Sequence, residues 1–185
     1  MSYAMIRTDW GFAAIVYSDR GLCGLVLPES SEDAVRRRVR RDRPEAVHDP
    51  SIAPSLQRRI RDYFAGRPVA FDCPVDLRAM TPFQRRVLRA CRRLRYGEVT
   101  TYASLARRVG RPRAARAIGA ALARNPVPLV VPCHRVVSVG GGLCGFSAPG
   151  GVDMKRRMLE HEAMVARTNG KAAGRKGARA ARHRA

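Results

Sequence analysis

Residues 101–124 read TYASLARRVGRPRAARAIGAALAR, and they predict the architecture of the C-terminal half of the chain. The pattern indicates two short helices, 101–109 and 113–124, on either side of Gly110-Arg111-Pro112. Thr101 can cap the first helix, and Pro112 favours the start of the second. Two short helices around a glycine-containing turn are typical of a helix-turn-helix, although ordinary helical hairpins share this pattern.

The second of these helices has two contrasting faces. One side carries apolar residues that we expect in the core: Ala114, Ile118, Ala121 and Leu122. The opposite side carries only small residues bordered by arginines: Ala117, Gly119, Ala120 and Ala123, with Arg113, Arg116 and Arg124 at the edges. An ordinary solvent-exposed helix face carries long, polar side chains. A flat face with arginine edges lets a helix lie close to a phosphate-lined groove, which favours nucleic-acid binding.

The N-terminal region, 1–76, alternates between strand-like and helix-like patterns. Apolar runs at 10–17 and 21–28 predict a hairpin, and 69–75 predicts a further strand. Helices are predicted at 31–41 and from Pro54 to Phe64, where apolar residues recur at helical spacing. We therefore expect a small α/β N-terminal domain.

The following region, 77–166, is predicted to form a mainly helical C-terminal domain. It opens with Thr81-Pro82-Phe83-Gln84, a capping box at the start of a helix. It closes with a further helix at about 152–165. The remaining segment, 167–185, consists mostly of Gly, Ala, Arg and Lys, so we expect a basic disordered tail.

The composition excludes several classes of protein. The 185 residues carry 36 Lys+Arg against 15 Asp+Glu, a formal net charge of +21, and omitting the tail still leaves +14. This charge favours a polyanionic partner, although a solvated basic surface is the alternative. No apolar run approaches the ~18–20 residues of a membrane helix, and the N-terminus lacks the zones of a signal peptide. Five cysteines without a Cys-x-x-Cys pair fit a reducing compartment, so we expect a cytoplasmic protein without membrane contact.

Cys133 is the candidate reactive group. It follows the proline-punctuated apolar segment 125–132 and precedes His134 and Arg135. A free thiol is only a few per cent ionised at neutral pH, so it needs a base or a positive environment, which these neighbours can supply. Glu162 lies on the predicted buried face of the last helix and can orient the imidazole, although pairing with some arginine would also explain it.

Other uses of these residues are weaker. Cys133, His134, Cys144 and His161 offer four metal ligands, but their spacings match no familiar zinc pattern, so no metal is expected. Lys155 and Glu160, on the same helix as Glu162, are expected to point away from its buried face.

The chain resembles the O6-alkylguanine-DNA alkyltransferases over about residues 80–165, and more loosely in the N-terminal domain. The resemblance rests on NPVP (125–128) followed by VPCHRVV (131–137), and on further motifs: FQRRVL (83–88), YGEVTTY (96–102), AARAIG (114–119), Lys155 and LEHE (159–162). It implies a ribonuclease-H-like N-terminal domain. It also implies a helix-turn-helix, or winged-helix-like, C-terminal domain.

The resemblance also implies a reaction. Members of this family repair O6-methylguanine, and less efficiently O4-methylthymine, in double-stranded DNA by irreversible transfer of the alkyl group to their own cysteine. Cys133 matches this acceptor, and His134, acting through water and held by Glu162, matches its base. Asn125 matches the residue that braces the segment, and Tyr102 matches the proton donor to the departing guanine. No cofactor is implied, and we expect a monomer.

The DNA contacts are implied in the same way. Such proteins bind the minor groove through the helix-turn-helix and rotate the damaged base out of the stack, and Arg116 matches the arginine that fills the vacated space. The residues expected to contact DNA are Arg116, Arg113, Arg135, Ala117, Gly119, Ala120 and Gln84. The residues expected to form the base pocket are Val136, Phe146 and Ser147.

Two departures from the family pattern affect this pocket. The loop after Ser147 contains Ala148-Pro149, which lengthens and stiffens it, and Phe146 stands where a tyrosine is common. Two other functions are compatible with parts of the sequence. One is a non-enzymatic lesion-binding protein, whose known examples lack the cysteine present here. The other is an unrelated thiol hydrolase with a basic surface.

Overall fold

The N-terminal unit is a four-stranded sheet with a helix on each face. The computed structural model describes the backbone of residues 1–182 and the side chains of residues 1–168. The sheet contains β1 (Ser2–Thr8), β2 (Gly11–Ser18), β3 (Gly21–Glu29) and β4 (Val47–His48), in the order β3-β2-β1-β4. The first three strands are antiparallel, and β4 lies parallel to β1.

Alternation along the strands explains why both faces of this sheet are covered. In β2, Ala13 and Ile15 face one cluster of buried residues, whereas Ala14 and Val16 face another. The helix α2 (Pro54–Phe64) packs against the first cluster, and α1 (Glu32–Asp42) packs against the second.

Both N-terminal helices and the β2–β3 hairpin confirm the sequence prediction, but two other elements differ. The strand β1 was not predicted, because its apolar run, Tyr3 to Ile6, is short. The strand predicted at 69–75 is wrong: only Val75 forms a bridge, with Leu22. The carbonyl groups of this segment instead accept hydrogen bonds from side chains. Arg59 donates to Ala70 O, and Arg92 donates to Phe71 O and Cys73 O.

The C-terminal unit is mainly helical, as predicted. It contains α3 (Pro82–Arg92), β5 (Thr100–Thr101), α4 (Tyr102–Arg108), α5 (Ala115–Ala123), β6 (Val136–Val137) and α6 (Gly151–Arg182). The capping box is present: Gln84 N donates to the Thr81 hydroxyl, and Thr81 N donates to Gln84 Oε1. Gly110, at φ +72°, makes the turn between α4 and α5 that other residue types rarely adopt.

A single hydrophobic cluster joins the two units. It runs from the inner face of β1–β3 through α2, α3 and α5 to segment 127–131 and Met158. A backbone hydrogen bond from Leu25 N to Pro126 O, at 2.9 Å, also connects β3 to the segment that leads to Cys133. The segment that leads to Cys133 is therefore held by contacts with both units.

The last helix is longer than predicted. It continues as a helix to Arg182, where the sequence predicted disorder from Arg167, and residues 183–185 lie outside the described part. Alanine, arginine and lysine, which are strong helix formers, predominate in residues 167–182. Within residues 1–182, no helix combines the length and the apolar character needed to cross a bilayer.

Candidate active site

Cys133 lies at the start of a 3-10 turn, Cys133–Arg135, which follows the buried residues Val131 and Pro132. Its residue surface is 8% exposed, and its side chain lines a cleft of about 260 Å³. The thiol is therefore sheltered from bulk water but can be reached from the cleft.

The side chain of Asn125 contacts the thiol directly. Its amide nitrogen donates to Cys133 Sγ at 3.2 Å and to Val131 O at 2.8 Å, while its carbonyl oxygen accepts from Val127 N at 3.1 Å. Burial raises the pKa of Cys133, whereas the Asn125 hydrogen bond and the charge of Lys155 lower it. Asn125 thus both fixes the segment and stabilises the thiolate.

His134 is fully buried and its ring is held by Glu162, with Nε2 lying 2.8 Å from Oε1. Because the carboxylate is an acceptor, Nε2 carries the proton and Nδ1 keeps a free lone pair. Nδ1 is buried and has no hydrogen-bond partner among the described residues. Burial lowers the pKa of His134, against the opposing effect of Glu162. A neutral imidazole with an available lone pair can accept a proton.

The Glu162 carboxylate is the centre of a buried hydrogen-bond network. Besides His134, it accepts from Arg135 through Nε and Nη2, from Tyr63 Oη at 2.9 Å and from Gly97 N at 3.0 Å. Burial alone would raise the pKa of Glu162, but the hydrogen bonds from His134 and Arg135 lower it to about 2. The carboxylate is therefore ionised at neutral pH.

The prediction that Arg135 contacts DNA is wrong. Its side chain is buried, where it pairs with Glu162 and donates from Nη1 to Leu94 O at 2.8 Å. A buried carboxylate needs a cationic partner, and Arg135 is that partner.

Lys155 is also placed differently from the prediction. It is 1% exposed, and its Nζ donates to Val136 O at 2.7 Å, Tyr102 Oη at 3.2 Å and Cys144 O at 3.3 Å. Burial lowers the pKa of this amine. The seven-residue spacing from Glu162 puts both side chains on one face of the helix, and this was the signal that could have identified Lys155.

The cleft beside the thiol has walls from several elements. Tyr102, Phe146 and Ser147 line it, as does Gly119, and the longer loop contributes Ala148 and Pro149. Val136, whose backbone is predicted to form part of the base pocket, is not among the residues that line this cleft: its side chain is buried and its carbonyl oxygen accepts from Lys155 Nζ.

The small-residue face of α5 is exposed, as predicted. Arg116, Ala117, Ala120 and Ala123 are exposed, whereas Ile118, Ala121 and Leu122 are buried. An apolar groove of about 670 Å³ runs along this face and includes Arg116, Gly119 and Ala120. The groove and the thiol cleft share Tyr102 and Phe146, so the surface of α5 leads to Cys133.

Two other residues predicted to contact DNA, Arg113 and Gln84, do not line the groove along α5. Arg113 is exposed just before α5 and forms no ion pair among the described side chains. Gln84 is half-buried, with its carbonyl oxygen engaged in the capping box of α3, so a DNA contact from its amide stays a prediction.

The metal site considered from the sequence is not assembled among the described side chains. His134 is engaged by Glu162, and His161 Nε2 lies 2.7 Å from the carbonyl of Tyr63.

Comparisons with known proteins agree on one relationship. Residues 82–164 match the family model described as "6-O-methylguanine DNA methyltransferase, DNA binding domain". The methylated-DNA–protein-cysteine methyltransferase of Mycobacterium tuberculosis is 42% identical over 122 residues, which cover 64% of this chain and 72% of that one. The Salmonella typhimurium protein of the same name is 46% identical over 107 residues, covering 58% and 61%.

The fold agrees as well. The crystal structure of Mycobacterium tuberculosis OGT in complex with DNA superimposes with a TM-score of 0.76 at 33% identity, covering 89% of this chain and 94% of that one.

Proposed function

Since the chain belongs to the methylated-DNA–protein-cysteine methyltransferase family and repairs DNA by transferring alkyl groups to a cysteine of its own, we propose that Cys133 is that cysteine. One observation carries the assignment: Cys133 lines the cleft that the face of α5 leads to, and the next residue in the sequence, His134, is buried with no hydrogen-bond partner for Nδ1 among the described residues. A thiol beside an oriented imidazole is how a nucleophile is commonly activated.

The proposed reaction has two proton transfers, one from the thiol to His134 and one from Tyr102 to the purine, which leave an imidazolium and a phenolate of equal and opposite charge. His134 Nδ1 accepts the thiol proton through one bridging water, and the thiolate sulfur attacks the alkyl carbon of the lesion. The new S–C bond forms as the C–O6 bond breaks, and its electron pair moves into the purine, which takes a proton from Tyr102. The product is a thioether and guanine. A thioether has no water-labile bond, so each protein molecule reacts once.

Tyr102 is suited to this role by its surroundings. Its side chain lines the cleft, and its hydroxyl accepts from Lys155 Nζ at 3.2 Å. Burial raises the pKa of Tyr102, which keeps its hydroxyl protonated, and the neighbouring ammonium of Lys155 would stabilise the phenolate that remains after proton donation. No cofactor takes part in these steps.

We propose O6-methylguanine in double-stranded DNA as the main substrate and O4-methylthymine as a poorer one. The thiol cannot reach a base inside the duplex, so the base must rotate into the cleft, at a cost of a few kcal/mol that is least for a badly paired base. Arg116, exposed on α5 at the edge of the groove, is placed to fill the vacated position.

The finer features of the fold and setting are proposals as well. A β3-β2-β1 meander with β4 parallel to β1 supports a ribonuclease-H-like N-terminal unit. Gly145 to Ser147, which line the groove beside α5, support a wing-like role for that loop. We also propose that the protein acts as a monomer in the cytosol, where its five free cysteines persist.

Mass spectrometry after reaction with a duplex carrying O6-methylguanine tests the function. We expect one added methyl group per molecule, on Cys133, and none on the exposed Cys144, which serves as an internal control. Repeated turnover would indicate a thiol hydrolase. Lesion binding without methylation would indicate a non-enzymatic lesion-binding protein. Either result would overturn the proposal.

A further inference from the structure

A tyrosine of the N-terminal unit reaches into the catalytic network. Tyr63, on α2, is fully buried, and its hydroxyl donates to Glu162 Oε1 at 2.9 Å. The same oxygen lies 2.8 Å from His134 Nε2. Tyr63 and His134 therefore donate to one carboxylate oxygen, although they belong to different structural units.

We propose that Tyr63 is a positioning residue that fixes Glu162 and limits how strongly this carboxylate attracts the proton of His134. The N-terminal unit would thereby set the pH range over which Cys133 is activated. This inference rests on the proposed function, because it assigns a role within the reaction of Cys133.

Hydrogen-bond competition supplies the physical reason. A hydroxyl that donates to a carboxylate draws negative charge toward itself, so the carboxylate stabilises a neighbouring imidazolium less. Without the Tyr63 hydroxyl, more charge remains at Oε1, and the protonated form of His134 is favoured. A protonated His134 cannot accept the thiol proton.

The surroundings of Tyr63 and Glu162 keep the Tyr63 hydroxyl protonated, so that it can donate. Burial and the negative charge of Glu162 raise the pKa of Tyr63 well above its ordinary value, so its hydroxyl stays protonated. The charged and titratable groups around Tyr63, Glu162 and His134 are Arg135 of the 3-10 turn, Tyr96 before β5 and Lys155 of α6. His161, beside Glu162 on α6, has Nε2 2.7 Å from the carbonyl oxygen of Tyr63. Tyr63→Phe keeps every one of these side chains.

The chain offers a matched control. Tyr96 Oη is buried near the same carboxylate but has no hydrogen-bond partner among the described residues, and its ring lies 5.9 Å from that of Tyr63. Tyr63→Phe and Tyr96→Phe therefore remove the same atom from neighbouring rings, of which that of Tyr63 is fully buried and that of Tyr96 is half-buried. Only the first removes a donor to Glu162.

The test measures the rate of alkyl transfer from free O6-benzylguanine against pH. A soluble base avoids any pH effect on duplex DNA. We expect Tyr63→Phe to move the acid limb of the profile to higher pH by about one unit, because the carboxylate then stabilises the protonated form of His134 more strongly. The acid limb of Tyr96→Phe should lie at the same pH as that of the protein without a substitution.

A purely structural role would give a different result. It would lower the rate of Tyr63→Phe equally at every pH, and that outcome would overturn the proposal, as would equal shifts in both variants. If Tyr63→Phe does not fold, 3-fluorotyrosine at position 63 keeps the ring and makes a stronger donor. It should move the limb to lower pH, and an unmoved limb would also overturn the proposal.

Failure of the function itself would be recognised separately. If the unmodified protein transfers no benzyl group to Cys133, the proposed function fails before any variant is compared. If it does transfer the group and the limb does not respond to Tyr63, only the role of Tyr63 fails.

Discussion

The side-chain amide of Asn125 donates a hydrogen bond to Cys133 Sγ at 3.2 Å. The two residues are eight positions apart, and the intervening Val131 carbonyl accepts from the same amide at 2.8 Å. A buried thiol is hard to ionise, so a donor aimed at the sulfur is the direct means of stabilising its thiolate. This contact connects the fold of segment 125–132 to the reactivity of the acceptor.

Asn125→Ala should therefore raise the pKa of Cys133. A hydrogen bond to a charged group is worth about 1.5–3 kcal/mol, so we expect a rise of one to two units and about ten- to hundredfold slower alkylation at neutral pH. Iodoacetamide labelling against pH, resolved by mass spectrometry for each cysteine, measures it. Cys144 is exposed and should label at an unchanged rate. An unchanged profile at Cys133 would contradict the role of Asn125.

Glu162→Gln should reduce stability in a pH-dependent manner. It leaves Arg135 buried without its ionised partner, which costs about 3–5 kcal/mol near pH 7. The pKa of Glu162 is lowered from 4.5 to about 2, so its stabilising effect is complete above pH 4.5 and is lost as the pH falls toward 2. The difference between the two proteins should shrink over that range.

Urea unfolding at pH 7 and at pH 3 checks this prediction. The control is Glu160→Gln, which removes an exposed carboxylate from the same helix and should change stability little at either pH. A difference between the two proteins that stays constant with pH would argue against an ionised, hydrogen-bonded Glu162.

Arg116→Ala should separate base rotation from thiol chemistry. Repair of a methylated duplex is expected to fall at least tenfold, because the space left by the rotated base is no longer filled. Reaction with free O6-benzylguanine should stay within twofold, because that base needs no rotation. Arg37→Ala, an exposed arginine on α1, is the control and should leave both rates unchanged. Equal loss of both activities in Arg116→Ala would refute the rotation role.

Ala120→Glu tests whether the α5 face meets the phosphate backbone. Ala120 is exposed and lines the groove, so the longer, negative side chain should lower duplex affinity more than tenfold without changing the melting temperature. The matched change is Ala163→Glu, at an exposed position on α6. Fluorescence anisotropy at fixed salt compares the two. Similar affinities would place the DNA elsewhere.

The local signals in the sequence were sufficient for most of the C-terminal unit. The Thr81–Gln84 box, the glycine turn at Gly110 and the two-faced pattern of α5 each depend on residues close in sequence, and all three appear in the structure. The predicted contact between the imidazole of His134 and the carboxylate of Glu162 is also present.

Long-range pairing explains what the sequence could not show. Arg135 carries a charge that favours a DNA contact in isolation, yet its partner Glu162 lies 27 positions away. Tyr63 fits the apolar stripe of α2, and nothing near it in the sequence indicates a carboxylate 99 positions later. The segment 69–75 has strand propensity, but the arginines of α2 and α3 engage its carbonyl groups instead.

The way in which the outer edge of β3 is covered has a consequence for solubility. A nine-residue strand at the margin of a sheet offers unpaired backbone groups to other molecules, and such margins promote aggregation. Here Leu22 exchanges hydrogen bonds with Pro74 and Asp76, and Leu25 N is occupied by Pro126 O. Gly21 permits this approach, because a Cβ there would lie 2.6 Å from the Pro74 carbonyl oxygen. The segment that presents the acceptor sulfur thus also shields the sheet from self-association, so variants that loosen segment 125–132 should precipitate as well as lose activity.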